Sequence, residues 1–201
     1  MKTIFFDFGN VIAHFDHRRA TQRFLLRCDR TEAEVFAAIY GGHLEDDFEA
    51  GRLSANEFVR HAIAAIDYRG SPADFSREFV DVFAPNDDVI AMLPRLRRQE
   101  YRLVLASNTN RLHFDFFRSL LADALAHFHA LGVSFEAGAR KPHPDFFAHC
   151  QRLAGCVAAE ALFIDDIRLN VEGARAFGWD AVQYTSYPAL IADLRSHGID
   201  V

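Results

Sequence analysis

Four short polar clusters carry the residue types that phosphoryl transfer needs. Asp7 closes the apolar run Thr3-Ile4-Phe5-Phe6, and Ser107-Asn108-Thr109-Asn110 closes Arg102-Leu103-Val104-Leu105-Ala106. Lys141 lies in Arg140-Lys141-Pro142, and Asp165-Asp166 closes Ala161-Leu162-Phe163-Ile164. A carboxylate can attack phosphorus and form an acyl phosphate that water later hydrolyses. The Ser107 hydroxyl and the amides opening the next helix can hold a phosphate oxygen. The Lys141 ammonium would neutralise charge on phosphate and nucleophile alike and keep Asp7 ionised. Carboxylates that share a pocket repel unless a hard cation sits between them, and Mg²⁺ takes one or two carboxylates plus substrate phosphate. Singly, each cluster has a plainer reading. Asp7 suits a turn, Ser107-Asn108 a helix cap, Lys141-Pro142 a solvated loop and Asp165-Asp166 the cap of the following helix. Their joint occurrence in this order is what favours chemistry.

The elements that must position these clusters follow from hydrophobic pattern. Runs 3–6, 102–106 and 161–164 are short, apolar and β-prone, as buried strands are; 181–184 reads as a last strand and 129–135 as a weaker one. Helical stripes lie between them at 87–99, from 111 to about Leu121, at 146–153, and at 167–177, where Gly178 stops the helix. Such alternation predicts an α/β fold, a doubly wound, Rossmann-like parallel sheet with helices on both faces. Between Asp16 and Ala84 the pattern is purely helical, with no strand. Thr31 with Glu34 and Ser54 with Glu57 have capping-box spacing, and Ser71-Pro72 opens a further helix. Asp16 is read as an N-cap, and Gly41-Gly42-His43-Leu44-Glu45 as a turn between helices. The division predicted is a catalytic core of residues 1–14 and 86–201 with an inserted α-helical cap of residues 15–85.

Composition narrows the class. Half of the 201 residues are apolar and 25% are charged, which excludes a disordered tail or a disulfide-stapled miniprotein. A formal charge of -6 argues against a nucleic-acid footprint, and no apolar run approaches the ~20 residues of a membrane helix. The opening residues meet an acid too early for a secretory signal, and the three cysteines (Cys28, Cys150 and Cys156) have no CxxC spacing. A cytoplasmic protein with reduced thiols is expected, as monomer or homodimer. The ten histidines lack ligand spacing and are read as surface or packing residues. No GxGxxG or P-loop segment supports a nucleotide cofactor.

With its four ordered motifs and the insertion after the first strand, the chain resembles the haloacid dehalogenase superfamily, in the group of phosphatases with a helical cap. Phe6-Asp7-Phe8-Gly9-Asn10-Val11-Ile12, Leu105-Ala106-Ser107-Asn108-Thr109-Asn110, Arg140-Lys141-Pro142 and Phe163-Ile164-Asp165-Asp166 with Asn170 and Gly173-Ala174 carry the likeness, over nearly the whole length. It looks most like bacterial phosphatases of small sugar phosphates, of the glucose 1-phosphate type. The resemblance implies Asp7 as nucleophile and Mg²⁺ ligand, with the Gly9 carbonyl and Asp166 on the same metal and Asp165 acting through water or from behind. It implies Ser107 and Asn108 on phosphate, Lys141 bridging phosphate and nucleophile, and Asn170 orienting Lys141 or the acidic pair. Most relatives carry an acid two residues after the nucleophile; here that residue is Gly9. General acid–base help is worth ~10²–10⁴-fold, so its loss slows such an enzyme without silencing it.

The expected function is therefore a Mg²⁺-dependent phosphatase of a small phosphorylated metabolite, working through an aspartyl-phosphate. Two alternatives remain at this point: a catalytically idle binding protein of the same fold, which Gly9 supports, and a haloacid dehalogenase, which the Asp165-Asp166 pair disfavours.

Overall fold

Strand periodicity sets the layers. In the computed structural model, which describes residues 2–201, β1 (Thr3–Phe6), β4 (Arg102–Ser107), β5 (Ala130–Val133), β6 (Ala161–Asp165) and β7 (Asp180–Gln183) form one parallel sheet, in the order β5-β4-β1-β6-β7. The three central strands are buried on both faces, yet their residues divide by parity. Ile4, Phe6, Leu103, Leu105, Leu162 and Ile164 join one core. There they meet α6 (Asp87–Arg98), α7 (Arg111–Leu120) and α12 (Tyr187–Ser196). Phe5, Val104, Ala106, Ala161 and Phe163 point the other way, to α10 (Pro144–Ala154) and α11 (Arg168–Phe177). Short helices α8 (Ala122–Leu125) and α9 (Ser134–Ala137) flank β5. The α/β core expected from the sequence is thus observed, with α12 as a helix the pattern did not announce.

Residues between β1 and α6 build a second apolar core. It belongs to α1 (His17–Leu25), α2 (Glu32–Ile39), α3 (His43–Glu49), α4 (Ala55–Ile66) and α5 (Pro72–Val80), and centres on Phe24, Phe48, Phe58, Phe75 and Phe79. Both capping boxes form, with Ser71 and Asp74 making a third, and Asp16 caps α1 by accepting from the Arg18 amide. Two expectations are corrected. Strands do border the helical stretch: β2 (Ala13–Phe15) pairs antiparallel with β3 (Phe83–Pro85), so the chain enters and leaves through a two-stranded ribbon. Three residues are too few to display a period of two. Gly41–Glu45 is not simply a turn, because His43 opens α3, which has no side-chain cap to announce it. Of the weak strand at 129–135, only Ala130–Val133 pairs, and the chain then turns into α9.

The foot of the ribbon is fixed by Asn86, which is 6% exposed. Its amide N–H donates to the Ile12 carbonyl (3.0 Å), and its Nδ2 donates to the Val11 carbonyl and to the Tyr184 hydroxyl, both at 2.9 Å. One side chain thereby ties the loop after Asp7 to the far side of the core. Asn86→Ala strands the Val11 carbonyl in the interior, and the expected loss is on the order of 1–3 kcal/mol. Urea unfolding midpoints of variant and parent measure it; equal midpoints would refute this role.

Candidate active site

In an open parallel sheet, ligands collect beyond the carboxyl ends of the strands, where the chain reverses its direction of travel across the sheet. Here that point is β1. The chain continues to β4 and β5 on one side and later to β6 and β7 on the other. Phe6 lies level with Leu105 and Ile164, so the residues that follow these three strands emerge side by side. Asp7, Ser107, Asp165 and Asp166 are brought to one end of the sheet for this reason, and Lys141 reaches them from the loop before α10.

The Lys141 ammonium is the hub. Its Nζ lies 2.7 Å from Asp7 Oδ1 and 2.7 Å from Asp165 Oδ2, with all three side chains withdrawn from solvent. Asp165 is fully committed: Oδ1 accepts from the Ile167 amide (2.8 Å), and Asn170 Nδ2 lies 3.1 Å from both oxygens. Asn170 therefore orients the acid rather than the lysine. Asp7 Oδ1 also accepts from the Phe8 amide (2.7 Å), which leaves Oδ2 without a hydrogen bond among the described residues. Asp166 Oδ2 accepts from Asn10 Nδ2 (2.9 Å). Asn10 has a left-handed backbone (φ 55°), a conformation asparagine tolerates better than most residues. Its role was not read from the sequence, although its place in the first motif was a signal.

One oxygen from each of Asp7, Asp165 and Asp166 lies within 4.8 Å of the others. Three carboxylates face one ammonium, and burial adds to the imbalance. Burial pushes Asp7 well above the usual carboxylate range; Lys141 opposes that rise, while Asp165 and Asp166 add to it. Asp166 is raised first by burial, then by Asp165, against the pull of Asn10. Burial works against the Lys141 charge, but Asp165 and Asp7 outweigh it and hold the ammonium above its ordinary value. An all-oxygen donor set with surplus negative charge fits a hard divalent cation such as Mg²⁺.

Two close contacts place Lys141. Asn108 clamps its main chain, accepting from the Lys141 amide at Oδ1 (2.7 Å) and donating from Nδ2 to its carbonyl (3.1 Å). The Asn108 side chain is thus spent at both ends on this brace. Pro142 packs against α11 at Gly173, where a Cβ would stand 2.5 Å from the Pro142 Cβ. Ser107, the last residue of β4, is 1% exposed. At Gly9 the ring of Phe15 stands 2.9 Å from where a Cβ would be, so aromatic surface lies in the direction an acid would take.

Beside Gly9 and Ser107 is a cavity of about 70 Å³, also lined by Phe15, His17, Glu49 and His113. The sequence reading assigned its histidines to surface or packing. His113 does pack: it stacks on Phe79 (4.3 Å between ring centres), its Nε2 contacts the Phe79 carbonyl (3.2 Å), and burial lowers its pKa to about 3. His17 also lines the cavity; it stacks on Tyr40 (4.1 Å between ring centres), and its Nδ1 has no hydrogen-bond partner among the described residues. Glu49 is 9% exposed, its Oε2 lying 2.8 Å from Arg140 Nε, and Arg140 also pairs with Asp46. Neither His17 nor Glu49 was singled out, because nothing in linear spacing links them to Asp7.

Comparison with known proteins identifies the family. The family description "haloacid dehalogenase-like hydrolase" matches residues 1–178, and the chain belongs to that family. It is 27% identical over 193 residues to a D-ribitol-5-phosphate phosphatase of Bacteroides thetaiotaomicron, covering 91% of each chain. It is 24% identical over 205 residues to a sesquiterpene phosphatase of Aspergillus oryzae, covering 96% of this chain and 95% of the relative. The fold is shared with a haloacid dehalogenase family enzyme from Bacteroides thetaiotaomicron, solved in complex with magnesium and inorganic phosphate (TM-score 0.75, 20% identity, 92% of this chain and 94% of that one).

The charge balance generates a test without substrate. Lys141→Met leaves Asp7 and Asp165 buried with no cation, and in chelator the expected loss of stability near neutral pH is about 3–5 kcal/mol. With the ammonium gone, the folded-state pKa of Asp7 rises further above its unfolded value, so protonation favours the folded state. The deficit should therefore narrow as pH falls from about 7 to about 5, read from urea midpoints at both. A gap that stays constant or widens would mean that Lys141 does not balance these acids.

Proposed function

We propose that the protein is a Mg²⁺-dependent phosphatase of a small phosphorylated metabolite, with sugar phosphates the favoured class. The observation that carries this reading is the Asp7–Lys141–Asp165 chain with Asp166 beside it, at the switch point of the sheet. The likeness to a D-ribitol-5-phosphate phosphatase supports the substrate class, and the magnesium and phosphate complex of a fold neighbour supports the metal.

Asp7 is the nucleophile. Lys141 and the Phe8 amide hold its Oδ1, and Oδ2 is the oxygen left to act. In the first step the Asp7 carboxylate bonds to phosphorus and the ester P–O bond breaks, giving an aspartyl-phosphate and the freed alcohol. Water then attacks phosphorus, the acyl P–O bond breaks, and phosphate leaves. Gly9 has no side chain to give or take a proton, so both transfers run through solvent water. Ser107 and the backbone at Asn108 hold the phosphoryl oxygens, and Lys141 neutralises charge on phosphate and nucleophile. Asp7, Asp166 and the Gly9 carbonyl would hold Mg²⁺, with Asp165 behind them and Asn170 fixing Asp165. The bound cation would lower the repulsion among the acids and between them and the phosphate. Residues 15–85 serve as a cap that limits water and contacts the leaving group.

Phosphate release from a panel of sugar and other small phosphates, with and without Mg²⁺, is the direct test. Asp7→Asn should abolish release, by at least about 10³-fold, in a protein that stays folded. Metal-independent release, or turnover surviving in Asp7→Asn, would refute the mechanism. A folded wild type that binds phosphate analogues and turns over no ester would favour the idle binding protein that Gly9 suggests.

A further inference from the structure

We propose that His17 and Glu49 read hydroxyl groups on the leaving group, so that esters of short polyols are preferred over esters of hydrocarbon chains. This rests on the phosphatase reading above and adds the residues that select the substrate.

The cavity beside Gly9 and Ser107 lies next to the phosphoryl position, where a leaving group would sit. Phe15 and Phe83 supply apolar wall, while the helices before β3 supply two polar groups, His17 and Glu49. His17 Nδ1 is buried and has no hydrogen-bond partner among the described residues. The Tyr40 ring stacks behind it, 4.1 Å between ring centres, and the Tyr40 hydroxyl is likewise buried and unpartnered. Burial lowers the His17 pKa to about 4, so near neutral pH its ring offers one N–H donor and one acceptor, a match for an alcohol. Glu49 faces Arg140 through Oε2, and its Oε1 receives no hydrogen bond from the described residues. A hydroxylated leaving group completes these groups. A hydrocarbon one buries them unpaired, and sites built to bind a hydroxyl reject analogues that lack it.

A matched pair of esters isolates the effect: sorbitol 6-phosphate and n-hexyl phosphate have the same carbon chain and differ in hydroxyl groups. With Mg²⁺ present, the wild type should favour the sorbitol ester in kcat/KM by about 100-fold or more. His17→Phe keeps the ring stacking and Glu49→Met keeps the volume; each should shrink the preference about tenfold or more. Titration calorimetry on the Asp7→Asn protein gives a second readout, in which sorbitol 6-phosphate should bind tighter than hexyl phosphate. An equal or reversed preference in the wild type would overturn this inference, and so would a preference that neither variant moves. Hydrolysis of p-nitrophenyl phosphate with no preference between the matched esters would leave the phosphatase reading standing. Hydrolysis of none of the three would overturn both.

Discussion

The sharing of one buried ammonium between Asp7 and Asp165 organises the rest of the site. A buried ion pair is favourable only when further hydrogen bonds satisfy the remaining valences. That requirement explains why Asn170 and the Ile167 amide converge on Asp165, why Asn108 grips the Lys141 main chain, and why Gly173 gives Pro142 room. Two of these contacts join distant parts of the chain: Asn108 with Lys141, and Gly173 with Pro142. The lysine comes from a loop and the acids from strand ends, so the sheet register and α11 must both be right before the charges meet.

The fold was legible where burial writes long signals. Runs such as Leu103–Ala106 and Ala161–Ile164 are apolar throughout because both faces of the central strands are covered, and capping boxes at Thr31 and Ser54 announce helices by local chemistry. What stayed hidden was short or lacked local chemistry. Strands β2 and β3 have three residues each, and α3 starts behind a glycine with no capping side chain. That Asp7, Lys141, Asp165 and Asp166 lie together was legible because each of them ends a strand or lies in a recognisable motif. His17 and Glu49 were not, since their placement depends on how five helices pack around Phe58 and Phe75.

The helical unit and the sheet are joined by covalent and ionic links of different strength. The ribbon of β2 and β3 is anchored at its foot by Asn86, and Arg140 reaches from the loop before α10 to Asp46 and Glu49 on α3. Arg140 is adjacent to Lys141. The position of α3, and with it Glu49, is thereby linked through one peptide unit to the lysine between the two aspartates. Charge on the helical side is kept modest by the same contact: burial raises the Glu49 pKa, and Arg140 opposes the rise.

The Phe15 ring over Gly9 also bears on how such a site can change over generations. An acid at position 9 would start with its Cβ 2.9 Å from that ring, whereas Phe15 is 37% exposed and contributes little to the interior. An acid at 9 therefore requires the Phe15 ring either to move outward or to be replaced by a smaller side chain. Positions 9 and 15 are thus coupled: how much side chain the residue two after Asp7 can carry is set by the ring eight residues after Asp7.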